Sequence, residues 1–202
     1  MSFLRSFALV LGLGLVLVAG LWFVQEHRLA SARGPDAGLR APAPEVRSPK
    51  AQWAQLLHWQ PALVAQSAQA LLPQRRNHVD IYSLGFAGDG TERVFRNEVE
   101  YFAQLMATRF DARGRTMSLV NSPERSEQVP LATLDNLREA LKRIGARMDP
   151  DEDVLVLFLT SHGSREHELV VDRPPLDLAW IRPYELRKAL DQAGIRWRVV
   201  IV

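Results

Sequence analysis

Val154-Leu155-Val156-Leu157-Phe158-Leu159-Thr160 is an unbroken apolar run of strand length, closed on one side by Asp149-Pro150-Asp151-Glu152-Asp153 and on the other by Ser161-His162-Gly163-Ser164. Runs of this kind belong to strands covered on both faces, the central strands of a parallel sheet. Working outward, Leu131 to Met148 has helical periodicity, with Thr133 as a cap. Thr116 to Val120 reads as a short strand, and Glu92 to Phe110 as an amphipathic helix carrying Val94, Phe95, Val99, Phe102, Leu105, Met106 and Phe110 on its apolar face. Val79 to Phe86 is a strand that runs into the loop Ala87-Gly88-Asp89-Gly90. Toward the C-terminus, Leu169-Val170-Val171 suggests a small strand. Pro183 opens a helix that Gly194 stops, and Arg198 to Val202 begins another buried strand. Strands alternating with helices predict an α/β domain, a parallel sheet with helices on both faces.

Ala51 to Leu72 has helical spacing at Trp53, Leu56, Leu57, Leu63, Val64 and Leu71. Pro61 falls inside it, and proline suits a first turn rather than an interior, so a break is expected near Gln60. The segment 51–77 is expected to pack as accessory helices on a main domain spanning 78–202. Before it, residues 30–50 form a linker with Pro35, Pro42, Pro44 and Pro49 and no apolar periodicity.

Phe7 to Val24 is a continuous run of apolar residues and glycine, long enough to cross ~30 Å of hydrocarbon. Residues 1–29 therefore read as a transmembrane anchor, with Trp22 at an interface. A cleaved signal peptide, with Ala30-Ser31-Ala32 as the cleavage site, is the competing reading. Arg28, Arg33 and Arg40 after the span would keep the rest of the chain in the cytoplasm by the positive-inside rule. A short amino tail before a long domain instead has the layout of an export signal, and export is the orientation expected.

The charge balance, 25 basic against 23 acidic residues, leaves no basic patch longer than Arg75-Arg76, so nucleic acid is not an expected partner. Cysteine is absent, which excludes disulfides and thiolate metal sites. His162, Glu166 and His167 lack the helical spacing of a zinc motif, and Asp149, Asp151 and Asp153 lack the glycine and final glutamate of a calcium loop. Asp149 to Asp153 reads instead as a solvated loop. Gly85 to Gly90 lacks the lysine of a phosphate-binding loop, and neither Ser161 nor Ser164 sits in a nucleophile elbow. No metal or cofactor is expected.

Active sites of open α/β sheets form at the carboxyl ends of strands. His162 stands at such an end, and histidine exchanges protons near neutral pH. Gly163 is expected to let the backbone turn sharply and to leave its amide accessible, and such an amide stabilises an oxyanion. A histidine in a tight turn with no chemistry is the alternative.

From Asp80 onward the chain resembles the legumain family (asparaginyl endopeptidases, haemoglobinases), and most closely its bacterial membrane-associated branch. The resemblance lies in Tyr82 to Gly90, Leu119 to Ser122, Leu131 to Leu137 and, most specifically, Asp151 to Ser164. It implies a caspase-like α/β fold and a histidine–cysteine pair that hydrolyses or transfers peptide bonds. His162 would be the general base and acid, Gly163 the oxyanion amide. Gly88, Asp89 and Ser161 would line the substrate cleft, with Asp89 and Arg93 touching the peptide. The family's cysteine comes after the next strand, here Trp197 to Val202, and this chain has none. The half-built apolar strand at its end suggests a fragment, with a cysteine a few residues beyond Val202. A catalytically inactive, membrane-anchored α/β binding module is the alternative. The enzyme reading implies a protein or peptide substrate and a location in a bacterial inner membrane, with the catalytic domain in the periplasm.

Overall fold

A computed structural model describes residues 48–125 and 127–202. The apolar stretch 7–24, expected to span a bilayer, and nearly all of the expected linker lie outside these residues. Among the described residues no helix is long and apolar enough to cross a membrane.

Four strands form one all-parallel sheet: β1 (Ile81–Ala87), β2 (Thr116–Val120), β3 (Val154–Thr160) and β4 (Trp197–Ile201), in the order β2-β1-β3-β4. Among the described residues four helices accompany them: α1 (Pro49–Gln69), α2 (Arg93–Arg109), α3 (Leu134–Gly145) and α4 (Pro183–Gln192). The expected alternation of strand and helix is therefore present. From β1 the chain crosses through α2 to β2 on one side, then returns through α3 to β3 on the other. Right-handed crossovers running in opposite directions put their helices on opposite faces. Accordingly Val99, Phe102 and Met106 of α2 pack on one face, against Val156 and Phe158 among others. On the other face α1, α3 and α4 share one core with Leu84, Phe86, Leu155, Leu157 and Leu159. The change of direction makes the junction of β1 and β3 the topological switch point, the place where ligands of open α/β sheets bind.

Several expectations need correction. α1 is continuous through Pro61, and Pro49 is its first residue rather than the end of the linker. An interior proline costs about 3 kcal/mol in an isolated helix. Here Gln60, one residue earlier, nails the helix down. Its Oε1 accepts from the Leu131 N–H at 2.7 Å and from Asn136 Nδ2 at 2.9 Å, while its Nε2 donates to the Leu56 carbonyl at 3.1 Å. Val64, Ala68 and Leu71 also enter the principal core, so α1 is part of the main domain's packing rather than an added layer.

α3 starts at Leu134, not Leu131. Thr133 is its cap, accepting from the Asn136 N–H at 3.2 Å, and the buried residues Leu131 and Ala132 precede the helix. β3 is fully buried only at alternate residues, because α2 covers the second face incompletely. β4 is exposed along its whole length, contrary to the expected buried strand. Among the described residues it pairs with β3 alone and no helix covers it, so Val199, Val200 and Ile201 stay between 39% and 50% exposed. Leu169 forms single bridges to Gly163 and Ile181 rather than a strand. Asp153, expected in a solvated loop, is fully buried; it accepts from the N–H groups of Asp80 and Asp149 at 2.9 and 2.7 Å and joins the amino ends of β1 and β3.

Candidate functional site

The carboxyl ends of β1 and β3 are bound together by main-chain bonds. Gly88 N–H donates to the Thr160 carbonyl at 2.9 Å, continuing the ladder past the strands. Beyond His162 the chain turns at residues 164–167 and comes back across the rim. On its return Val170 N–H donates to the His162 carbonyl at 2.9 Å, Asp172 N–H to the Gly88 carbonyl at 3.0 Å, and Gly90 N–H to the Asp172 carbonyl at 2.8 Å. The approach is so close that a Cβ on Gly88 would stand 2.5 Å from the Val170 carbonyl oxygen, so only glycine fits.

Asn121, at the end of β2, closes the third side. It is 1% exposed, and its Nδ2 donates to the carbonyls of Gly88 at 2.7 Å and Ala132 at 3.0 Å while its Oδ1 accepts from the Ala132 N–H at 3.0 Å. Its role is invisible in the sequence, where it stands out only as part of a resemblance.

On this frame His162 is presented to solvent, its side chain 56% exposed. Nε2 lies 2.8 Å from Glu92 Oε1, and the ring meets Phe95 edge to face at 5.0 Å. Hydrogen bonding to Glu92 raises the His162 pKa above the ordinary histidine value, and the charges of Glu92 and Asp89 add in the same direction. Burial opposes the shift without cancelling it. Glu92 entered the sequence reading only as the start of a helix. A glutamate where a short capping side chain is usual is the signal that marks it.

Gly163 is exposed, and among the described residues its N–H has no main-chain acceptor. Its φ lies outside the left-handed region, and a Cβ there would meet nothing within 4 Å. The fold thus makes no steric demand for glycine at 163, in contrast to 88. What the glycine does provide is an open approach to a free donor beside the histidine, the arrangement an oxyanion requires.

The other expected cleft residues occupy different roles in the geometry. Gly88 is buried beneath the returning loop. The Ser161 hydroxyl donates to the Val170 carbonyl at 2.6 Å and helps hold that loop. Asp89 is 5% exposed, and its Oδ1 accepts from the N–H and hydroxyl of Thr91 at 2.8 and 2.6 Å, so its charge reaches His162 through space. Arg93 is exposed and pairs with Glu124 at 2.8 Å.

Beside Gly163 a cavity of about 400 Å³ opens, with Leu159, Leu169, Ile181 and Leu186 on its apolar wall and Glu168 and Arg182 among its polar residues. The last two form an ion pair at 2.9 Å. Among the described residues no three His, Asp or Glu side chains gather as metal ligands would. The site therefore joins a proton-exchanging imidazole, a free amide and an adjoining cavity at the switch point of a parallel sheet. A scan against protein-family models gives no match to this chain, and a search of curated proteins finds no relative.

Proposed function

We propose that this chain carries the histidine half of a legumain-like cysteine peptidase with a caspase-like fold, in which a thiol from outside the 202 residues attacks a peptide carbonyl. His162 manages the protons of attack and departure, and the Gly163 N–H holds the developing oxyanion. Through residues 7–24 the enzyme is tethered to a bacterial inner membrane, with its catalytic domain in the periplasm and a peptide or protein as substrate.

The observation that carries this reading is the pairing of an exposed, carboxylate-bound histidine with an unengaged neighbouring amide at the carboxyl end of β3. The sheet register is consistent with a thiol close by. Phe158 pairs with Ile201 in parallel. Continued in the same register, the ladder would bring the third residue after Val202 level with His162. A thiol there would face the imidazole across adjacent strands.

The absence of cysteine from the chain favours one other reading, an anchored binding module without catalysis. Two measurements separate them. The coding sequence beyond Val202 should contain a cysteine within a few codons. The longer protein should be labelled by a thiol-reactive peptide probe, and His162→Ala should suppress that labelling. No cysteine, or labelling indifferent to His162, would leave the binding module as the better account.

A further inference from the structure

The first residue of a helix is normally chosen for its own hydrogen bonds. Ser, Thr, Asp or Asn at the N-cap turns a short side chain back onto a first-turn N–H. Ser48 does this for α1 and Thr133 for α3. Glu92, the N-cap of α2, has the extended backbone of a cap (φ −119°, ψ 134°), yet its side chain makes no capping bond. Its carboxylate reaches instead to a ring 70 positions away in sequence. A local rule broken without local benefit marks a residue that serves something else.

The chemistry of the contact identifies that service. A carboxylate only accepts, so Nε2 of His162 must carry a proton. The neutral ring is then the Nε2–H tautomer, and Nδ1 holds the free lone pair. The ring also lies at the amino end of α2, since Phe95 in its first turn touches it. That end of a helix carries a partial positive charge, which disfavours an imidazolium. α2 has no acidic residue in its first turn to offset it. The carboxylate of Glu92 does so, aided by Asp89 from the loop before the helix; these are the charged groups that act on the ring.

We propose that Glu92 is the positioning residue of His162, fixing the ring with its proton on Nε2 so that Nδ1 is the nitrogen that exchanges protons with the reacting groups. This rests on the reading of His162 as the proton carrier of a peptidase. The raised His162 pKa agrees with it.

Long-range proton–nitrogen NMR of the imidazoles in the ¹⁵N-labelled full chain tests the proposal. The five histidines are separated by the signal lost in His162→Gln. The wild-type ring should show the Nε2–H pattern once neutral. In Glu92→Gln the amide oxygen still accepts, so the tautomer should persist while the pKa falls. In Glu92→Ser the tautomers should mix and the pKa fall, with the melting temperature unchanged or raised because serine caps better. A dominant Nδ1–H form in the wild type, or a tautomer ratio unchanged in Glu92→Ser, overturns the proposal. The measurement needs no nucleophile. It therefore succeeds or fails independently of whether the longer protein cleaves peptides.

Discussion

Replacing Asn121 by aspartate exchanges a buried NH₂ for an oxygen and leaves the shape of the side chain unchanged. The bond accepted from the Ala132 N–H survives, and the two donated to the Gly88 and Ala132 carbonyls are lost. Each is worth about 1 kcal/mol net, and the carbonyls then face an oxygen instead of a donor. At neutral pH the new carboxylate is also ionised at a site 1% exposed, or must take up a proton to avoid it. Together these put the loss at about 3–5 kcal/mol. At roughly 2–4 °C per kcal/mol for a chain of this size, the melting temperature should fall by about 6–20 °C.

The pH dependence carries a sign. Burial would raise the folded-state pKa of the introduced carboxyl above its unfolded value. The penalty should therefore shrink as pH falls from 7 toward 5, where protonation restores one donor. Urea unfolding of wild type and Asn121→Asp at both pH values measures this. A loss below about 1 kcal/mol at pH 7, or one that grows on acidification, would refute the assignment of Asn121 as a buried clamp.

Other outcomes rest on the same geometry. Gly88→Ala should destabilise by about 1–3 kcal/mol, because its Cβ would meet main-chain oxygen that cannot swing aside. Gly163→Ala, facing open space, should stay within about 0.5 kcal/mol of wild type in urea while lowering turnover by the cysteine-bearing protein. Thr133→Ala should cost about 1 kcal/mol through the lost cap of α3, read from the same unfolding curves. The raised pKa of His162 gives a contribution fully present below the unfolded value, about 6.5, and lost as pH rises through the folded value. The stability difference between wild type and His162→Gln, followed from pH 5 to 9, should shrink in that direction.

Much of this architecture is legible in the chain because punctuation and pattern agree. β2 has the bounds expected for a short strand after Gly114, and β3 coincides with its apolar run, which Asp153 and Ser161 bracket. Thr133 announces the start of α3. Reading fails where a distant contact overrides a local rule. Pro61 is a sound local signal for a break, but the bonds from Gln60 to Leu131 and Asn136 outweigh it, and nothing within α1 foretells them. Val199, Val200 and Ile201 look like any buried strand; their exposure depends on how far the helices reach across the sheet, which composition does not encode. At the site, position at the end of β3 marks His162 and Gly163 as candidates, and the resemblance is what sets them above a histidine in a plain turn. Glu92 and Asn121 escape because each acts across a gap in sequence, one on a ring and the other on two loops.

The unengaged Gly163 amide has a consequence in exchange with solvent deuterium. Its neighbours Gly88, Gly90, Ser164, Val170 and Asp172 all have N–H groups bonded to main-chain carbonyls. They should exchange slowly, as amides released only by opening of the rim. Gly163 should exchange within the dead time of the experiment, a fast amide beside these slow ones. Any bound group that accepts from it would convert that fast amide into a slow one. Occupancy of the site thus has a local signal at one backbone position, measurable without a substrate being turned over.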